Sequence, residues 1–476
     1  MDYNPWLPPL ESDRRFFDAF RRVGHAFHDG SLTADALANW RAERLGIVLS
    51  HVTASSPFYR RHFEGIDLGQ VTPSDLTRLP FTTKDDLRTH MLDIVSGDIR
   101  RAMYYYQTTG TTGPATPCPR DTRESLASNF NAAMSIRKIL TRLCGESARP
   151  ALAVLAPNEL HAACKTYADI GKDLGMMVLD AWPSSPAVGW RTAAEVLSRL
   201  KIDAAIGPPA LFATLAKAAA HYGLDPKADF GLKAILCLGE VCSEPMKRNL
   251  ASIWNCEVHD FVYGSQEAFI MAAADVDGHL VPSLPNYVWE VIDPDTGRSQ
   301  PSGFGELCVT CLADGVKPLI RYRTGDLVDL SFDAAHPAAA TSSLRVHGRS
   351  RDKVRIGLGD FSALELEQLA LDGLTGCVGY QYELLAEGDT ESVLLRVEML
   401  KGVTPPPADR LASRLAERLS VPVRVELVAE LDVRAGTGSW VSWKAARVLD
   451  RRAQPPGPSV DEANAAIAFT RAMRGR

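Results

Sequence analysis

The sequence predicts an α/β protein with a large N-terminal domain and a small α+β C-terminal domain. Short apolar runs alternate with helical stretches between residues 151 and 238, as in a parallel sheet that has helices on both faces. After Val258 the segments alternate in polarity and predict antiparallel strands. Because 476 residues are too many for one core, we expect two or more domains.

The first part of the chain is predicted to be helical. Between residues 11 and 68, aromatic residues such as Phe16, Phe20 and Phe27 recur at helical spacing. A short helix is predicted near residues 83–91. Packing in a core is the simplest role of these aromatic side chains, although a ligand pocket could also use them.

A longer helix is predicted from about residue 122 to 141, with Asp121 as its N-cap and Glu124 completing a capping box. The parallel strands that follow are predicted at Ala151–Leu155, Met176–Leu179, Ala204–Ile206 and Ala234–Leu238. The helices predicted between them include Thr192–Leu200 and Pro209–His221. Strands that alternate with helices in this way favour a parallel sheet.

The β-rich part and the C-terminal domain follow. The antiparallel strands are predicted at Val288–Ile292, Glu306–Cys311 and Asp326–Phe332. A soft connector at 333–343 leads to the predicted boundary between domains 1–347 and 348–476. The second domain is predicted to contain the strands Val393–Val397 and Val423–Val428, a helix with Leu411, Leu415 and Leu419 on one face, and a weakly helical tail from Ala463 to Met473.

Composition excludes several classes of protein. The formal net charge is −6 and no block of like charge stands out, so neither nucleic acid nor an anionic membrane is expected as a partner. The first residues lack the basic and apolar regions of a secretory signal, and no apolar stretch is long enough to span a bilayer. Nine scattered cysteines fit reduced thiols, so we expect a cytoplasmic protein.

The segment most suggestive of chemistry is Thr108–Gly113, which reads TTGTTG. Glycine permits backbone conformations that other residues avoid, and threonine hydroxyls and bare backbone N–H groups can point at an anion. A strand, a Gly/Thr loop and a helix in succession form a layout that binds phosphate. Taken alone, the segment could equally be a flexible surface loop.

Four further segments carry candidate functional groups. They are residues 260–267 (DFVYGSQE), 320–326 (IRYRTGD), 348–367 (GRSRDKVRIGLGDFSALELE) and 442–448 (SWKAARV). Their aromatic, carboxylate and basic groups could stack on a base, hold Mg²⁺ or bind ribose hydroxyls. Taken singly, each also fits a plain structural role, such as a turn, a β-hairpin with a salt bridge, or a linker.

The order of these five segments resembles that of the adenylate-forming superfamily of acyl-CoA synthetases, adenylation domains and luciferases. The segments 320–326 and 348–367 look most like those of the phenylacetate-CoA ligase branch. The resemblance implies a large N-terminal domain of αβαβα subdomains with a small β-barrel-like subdomain, followed by a mobile C-terminal lid. It also implies a two-step reaction, in which an acyl-adenylate forms from ATP and a nucleophile then displaces AMP.

The resemblance further implies roles for individual residues. The pyrophosphate end of ATP would be held by Thr108, Thr109, Gly110, Thr111, Thr112 and Gly113. The rest of the nucleotide site would comprise Gly239, Glu240, Tyr263, Gly264, Gln266, Asp326, Arg349 and Arg351. In it Tyr263 would stack on adenine, and Asp326, assisted by Arg349, would bind the ribose hydroxyls.

The implied catalytic residues are Lys444, Glu267 and Arg349. Glu267 would hold Mg²⁺, and Lys444 would bridge the acid carboxylate and the α-phosphate in the first step only. Arg351 or Asp352 would be the hinge of the lid. The acid pocket would be lined by His161, Tyr167, Phe261, Phe269 and Ile270.

Four departures from the family pattern are visible. Pro114 stands where a lysine usually follows the loop, so Arg120 is a candidate to supply the missing charge to pyrophosphate. Gln266 replaces the usual Ser or Thr, and Trp443 replaces the usual Gly. The cysteine-containing zinc segment of related ligases is absent, and we predict no zinc.

The expected function is therefore ATP-dependent ligation of a carboxylic acid, with ATP, Mg²⁺ and CoA as the cofactors. An acid with an aromatic or cyclic body is favoured over an α-amino acid, because no acidic residue of the implied pocket suits an amine. Two alternatives stay open. The acceptor could be an amine or a carrier protein instead of CoA, or the chain could be a weakened relative that only binds nucleotide. A homodimer is possible, as in related enzymes.

Overall fold

The computed structural model describes residues 11–108, 115–240, 242–349, 353–388, 390–431 and 447–452. The chain divides into two compact units, each built from separate stretches of sequence. Unit 1 comprises Met1–Glu146, Asn158–Gly175 and Phe261–Arg351, and unit 2 comprises Ser147–Pro157, Met176–Asp260 and Asp352–Arg476. The division into domains 1–347 and 348–476 stays a prediction. None of the helices in the described ranges is long and apolar enough to cross a membrane.

Among the described residues, five α-helices lie in the first part of unit 1, as the spacing of apolar residues predicts. They are α1 (Glu11–Asp29), α2 (Ala34–Ser55), α3 (Pro57–His62), α4 (Lys84–His90) and α5 (Thr122–Cys144). The predicted capping box at the start of α5 is confirmed, because Asp121 accepts a hydrogen bond from Glu124 N–H and the Glu124 side chain accepts one from Asp121 N–H. The predicted aromatic residues Phe16, Phe20 and Phe27 are buried in the core of this unit.

The predicted parallel sheet is confirmed and lies in unit 2. Its strands are β1 (Ala151–Val154), β2 (Met177–Asp180), β3 (Ala204–Gly207), β4 (Ala234–Cys237) and β5 (Glu257–Asp260), in the order β2-β1-β3-β4-β5. The helices that alternate with them along the chain are α6 (Ala162–Asp173), α7 (Gly189–Leu200), α8 (Pro209–His221), α9 (Pro226–Asp229) and α10 (Glu244–Trp254). Of these helices, α6 belongs to unit 1.

The β-rich part after residue 258 is an eight-stranded antiparallel sheet in unit 1. Its strands are β6 (Val262–Ser265), β7 (Phe269–Ala274), β8 (Leu280–Pro282), β9 (Tyr287–Ile292), β10 (Ser299–Gln300), β11 (Gly303–Cys311), β12 (Tyr322–Phe332) and β13 (Ser342–Arg349). The order β10-β9-β11-β12-β13-β8-β7-β6 places β6 and β12, which carry two of the candidate motifs, in one sheet. The predicted connector at 333–343 ends as β13 begins.

The remainder of unit 2 is α+β, as predicted. It consists of the hairpin β14 (Val354–Ile356) and β15 (Gly359–Phe361), helix α11 (Ala363–Leu371), strands β16 (Cys377–Glu387) and β17 (Thr390–Met399), helix α12 (Ala408–Leu419), and strands β18 (Val423–Val428) and β19 (Val448–Asp450). The last four strands form a sheet in the order β18-β17-β16-β19. Leu411, Leu415 and Leu419 are the buried face of α12. The predicted tail helix lies outside the described residues.

A buried ion pair joins the segment 320–326 to the rest of unit 1. The Arg321 guanidinium donates to the Glu290 carboxylate at 2.8 Å, and both side chains are buried. Replacing Arg321 by Met should lower the free energy of unfolding by about 3–5 kcal/mol, because the Glu290 charge would remain buried without its guanidinium partner. Denaturant unfolding measures this change.

Arg323 is the matched control, because it pairs with Glu306 but its side chain is 39% exposed. The substitution Arg323→Met should cost less than about 1 kcal/mol, as for other ion pairs in contact with water. Equal losses of unfolding free energy in the two variants would contradict the conclusion that burial makes the Arg321–Glu290 pair the more costly one to break.

Candidate active site

The Gly/Thr segment is carried by two paired chain arms. The Thr108 N–H donates to Thr116 O at 3.0 Å, and the Thr116 N–H donates to the Thr108 hydroxyl at 2.9 Å. Gln107 and Pro117 form an antiparallel bridge just before this pair. Thr108 therefore closes the base of the segment. The other predicted loop residues, Thr109, Gly110, Thr111, Thr112 and Gly113, lie outside the described residues, as does Pro114.

The β6–β7 hairpin carries Gly264, Gln266 and Glu267. A Cβ atom on Gly264 would lie 2.2 Å from Phe269 O, so this close approach of two backbones requires glycine. Gln266 donates from Nε2 to Gln107 O at 3.3 Å and accepts from the Ala162 N–H at 3.3 Å. The unusual glutamine thus joins the arm that precedes the Gly/Thr segment to the start of α6.

Glu267 is a buried carboxylate beside a cation. The Lys84 Nζ lies 2.9 Å from Glu267 Oε1, and the Glu267 side chain is only 4% exposed. Burial alone would raise the pKa of Glu267, but the Lys84 ammonium brings it below its ordinary value. Glu267 is therefore ionised at neutral pH.

The surroundings of Glu267 fit a magnesium ion. Glu267 Oε1 is buried, and it lies 2.9 Å from the Lys84 ammonium. Mg²⁺ is commonly held by one or two carboxylates together with substrate phosphates and water. A single buried, ionised carboxylate suits that ligand set.

Three predicted nucleotide residues meet in unit 1. The Tyr263 hydroxyl donates to Asp326 Oδ2 at 2.7 Å, and Arg349 Nε lies 3.7 Å from Asp326 Oδ1. The last contact follows from register, because Asp326 on β12 is the partner of Arg349 on β13. An aromatic ring, a carboxylate and a guanidinium in this arrangement can contact a base and two neighbouring hydroxyls.

Unit 2 contains the other described nucleotide candidates, Gly239 and Glu240, which follow β4. Gly239 has a φ of +79°, a conformation that favours glycine. Glu240 Oε2 accepts a hydrogen bond from the Ala210 N–H at 3.4 Å. Arg351, Asp352, Trp443 and Lys444 lie outside the described residues. The chain is described again at Arg447, whose carbonyl accepts from the Tyr382 N–H at 2.8 Å.

The five predicted acid-pocket residues all lie in unit 1. His161 is the N-cap of α6, where its Nδ1 accepts from the Ala163 N–H at 3.2 Å. The rings of Tyr167 and Phe261 are buried, with centroids 6.0 Å apart. The remaining two, Phe269 and Ile270, begin β7 and are also buried.

Sequence reasoning missed Lys84 and did not foresee the surroundings of Arg120. Lys84 begins α4, and nothing in its neighbourhood points to Glu267, which is far along the chain. Arg120 was a candidate to contact pyrophosphate. In the structure it is buried, and its guanidinium lies 4.2 Å from the centroid of the Phe269 ring, a predicted acid-pocket residue.

All nine cysteines are free thiols. Among the described residues, no group of three or more His, Cys, Asp or Glu side chains is placed to hold a metal ion. The expectation that the protein needs no zinc stays a prediction.

Comparisons with known proteins find similarity to AMP-binding enzymes and to phenylacetate-coenzyme A ligases. The family described as AMP-binding enzyme matches residues 75–311. The phenylacetate-coenzyme A ligase of Pseudomonas putida is 26% identical over 381 residues, which cover 77% of this chain and 83% of the relative. The phenylacetate-coenzyme A ligase of Aromatoleum evansii is 25% identical over 439 residues, which cover 88% and 95% of the two chains.

A solved structure of 2-hydroxyisobutyryl-CoA ligase in the postadenylation state is similar to this chain, with a TM-score of 0.73 and 20% identity. The match covers 100% of this chain and 98% of the other. This similarity shows that the two chains share a fold.

Proposed function

Because the chain belongs to the adenylate-forming superfamily and is similar to its phenylacetate-CoA ligases, we propose that it joins an aromatic or cyclic carboxylic acid to CoA. It is an ATP-dependent, AMP-forming acid ligase. The proposed product is an acyl thioester, made through an acyl-adenylate. The observation that supports this most is the grouping of Tyr263, Asp326 and Arg349 by contacts of 2.7 and 3.7 Å in the same unit as ionised Glu267.

The first step brings two anions together. A carboxylate oxygen of the acid attacks the α-phosphorus of ATP, and the bond from that phosphorus to pyrophosphate breaks. Repulsion and the charge that develops at phosphorus must be offset by fixed positive groups. We propose that Lys444 contacts both the acid carboxylate and the α-phosphate, and that Glu267 holds Mg²⁺, which when bound neutralises phosphate charge.

The adenosine moiety is proposed to bind at the Tyr263, Asp326 and Arg349 cluster. The Tyr263 ring offers a face for adenine, and its hydroxyl fixes the Asp326 carboxylate at 2.7 Å. Asp326 can then accept hydrogen bonds from both ribose hydroxyls, while Arg349 limits the orientation of its other oxygen. Positioning of this kind lowers the entropic cost of the reaction.

The second step uses the same pocket for a different nucleophile. The CoA thiol loses its proton and attacks the acyl carbon, so that a carbon–sulfur bond forms and the carbon–oxygen bond to AMP breaks. We propose that the domain 348–476 rotates relative to 1–347 between the steps and removes Lys444 from the site. A mobile lid of this type lets one site serve both half-reactions.

The proposal is tested by following pyrophosphate release with ATP, Mg²⁺ and a panel of aryl, cyclic and linear acids. CoA, amino acids and a carrier protein are then added in turn, and the product is identified by mass. We expect release with aryl or cyclic acids and a CoA thioester as product. An amide formed much faster than the thioester would refute CoA as the acceptor, and no release with any acid would favour a protein that only binds nucleotide.

A further inference from the structure

A buried group of hydrogen-bond donors lies in unit 1 and has no role in the reaction described above. It consists of Arg120, Tyr106 and Thr166, and is called the Arg120 cluster below. Arg120 follows the second arm of the Gly/Thr segment, Tyr106 lies on the first arm, and Thr166 lies on α6. All three residues are at least nine-tenths buried.

The Arg120 guanidinium is only partly satisfied. Its Nη1 donates to the Thr166 hydroxyl at 3.3 Å, while its Nε is buried and has no hydrogen-bond partner among the described residues. Its other contacts are aromatic, with the Phe269 ring centroid at 4.2 Å and the Tyr106 centroid at 5.6 Å. Within the described parts of the chain, no carboxylate forms an ion pair with it. A buried cation usually has such a partner, because desolvation is costly.

The Tyr106 hydroxyl is also buried, and none of the residues that the structure describes forms a hydrogen bond with it. Burial raises the pKa of Tyr106 to about 12, so its hydroxyl is protonated at neutral pH and is available as a donor. The cluster therefore offers hydrogen-bond donors from a guanidinium and a phenol, and two of these donors lack an acceptor. Buried unsatisfied donors at this density call for an acceptor that the described residues do not supply.

A second buried cation, Lys317, also lies near the Phe269 ring. Lys317 is fully buried, and its Nζ lies 5.8 Å from the Phe269 ring centroid and donates to Glu267 O at 3.1 Å. The nearby Glu124 offsets little of this charge, because burial and Asp121 raise the pKa of its carboxyl and favour the neutral acid. Because the ionised Glu267 is paired with Lys84, Arg120 and Lys317 leave an excess of positive charge around Phe269.

We propose that the Arg120 cluster binds a second carboxylate on the acid substrate, so that the enzyme acts on acids with two anionic ends. The inference rests on the proposed function, because Phe269 and the α6 segment from His161 to Tyr167 are expected to line the acid pocket. One carboxylate reacts with ATP, and the other accepts hydrogen bonds from Arg120 and Tyr106. Paired charge-assisted hydrogen bonds of this kind are strong and specific.

Phe269 controls access to the cluster. In this structure its ring covers the guanidinium, so the carboxylate reaches Arg120 when the ring turns aside. Phe269 has a φ of +65°, a strained conformation for an aromatic residue. Such strain is common at ligand clamps.

The test compares acids that differ by one carboxylate. The pairs are phenylacetate with 4-carboxyphenylacetate, and cyclohexanecarboxylate with cyclohexane-1,4-dicarboxylate. For the wild-type protein, kcat/KM for pyrophosphate release should be about 100-fold higher with the diacid. In Arg120→Met this preference should fall to about one, and in Tyr106→Phe it should fall about 10-fold.

Arg100→Met is the matched control, because Arg100 is highly exposed and forms an ion pair with Asp98 on the surface. Its diacid preference should equal that of the wild type.

If Arg120→Met does not fold, Tyr106→Phe still decides the question, since it removes one oxygen and keeps the ring. A wild-type preference for monoacids, or equal losses with both acids in Tyr106→Phe, would overturn the subsite. A rise in the KM for ATP with every acid would instead assign Arg120 to the phosphates.

Calorimetric titration of the acids without ATP separates this inference from the proposed function. In one outcome the wild-type protein binds the diacid but releases no pyrophosphate, and Arg120→Met or Tyr106→Phe abolishes the binding. That result would support the subsite and refute the proposal that the protein is a ligase for this acid. No diacid binding, together with pyrophosphate release from monoacids, would refute the subsite and leave the ligase function standing.

Discussion

Replacing Lys444 by Ala is expected to lower the rate of adenylate formation by about 1,000-fold or more, while thiolysis of a supplied acyl-adenylate continues at close to the wild-type rate. The reason is that the lysine offsets the repulsion between two anions only while the bond to phosphorus forms. In the second step a thiol attacks a carbonyl carbon, and the lid is proposed to have turned Lys444 away. Two assays on one variant, pyrophosphate release and thioester formation from the adenylate, measure the two rates.

Lys401→Ala is a suitable control, because Lys401 is an exposed lysine on a turn of the same unit. It should change neither rate. Equal loss of both steps in Lys444→Ala would contradict a lysine that acts in one step only, and with it the proposed rotation of domain 348–476. A small loss of adenylation would show that another cation serves the α-phosphate.

Local patterns predicted much of the fold. The capping box of α5 could be foreseen because its residues are three apart, and four of the five strands of the parallel sheet because each contains a short apolar run. The fifth strand, β5, reads EVHD and was not predicted, because it lacks such a run. The joining of Asp326 to Arg349 also has a local origin, since it follows from the register of neighbouring strands β12 and β13. In these cases the interaction is encoded within one segment or one strand pairing.

The parts that could not be foreseen depend on contacts between distant segments. Lys84 is an ordinary first-turn lysine until the fold brings it to Glu267, and the bridging role of Gln266 needs both Gln107 and Ala162 in place. The burial of Arg120 was hidden for the same reason, because a charged residue near a polar loop is normally exposed. Without tertiary contacts, sequence periodicity cannot show that a guanidinium faces an aromatic ring.

Replacing Glu267 by Gln is expected to lower kcat/KM for ATP by about 100- to 1,000-fold, because the variant keeps the shape of the side chain but loses the charge proposed to hold Mg²⁺. Raising the Mg²⁺ concentration should restore part of the activity. The measurement is the dependence of pyrophosphate release on Mg²⁺ in both proteins. An unchanged Mg²⁺ dependence in Glu267→Gln would show that the metal is bound elsewhere.

Lys84→Met tests the electrostatic environment of the same carboxylate. In the wild type, Lys84 keeps the pKa of Glu267 below its ordinary value despite burial. Without that ammonium, burial dominates and the pKa of Glu267 rises, so the carboxylate becomes protonated at a higher pH. The acidic limb of the pH profile of kcat/KM should therefore move to higher pH in Lys84→Met. Lys138→Met is the control, because Lys138 lies on the surface and donates to His28 O. The acidic limb should not move in this variant.

A shift in the opposite direction, or none, would mean that ionisation of Glu267 does not limit activity on the acidic side. The double variant Lys84→Met with Glu267→Gln tests whether Lys84 acts through the charge of Glu267. If Lys84 acts through the charge of Glu267, the second substitution should add little to the first, because residues that act as a unit are not additive. Full additivity would instead give Lys84 a separate contact with the substrates, which the 34% exposure of its side chain permits.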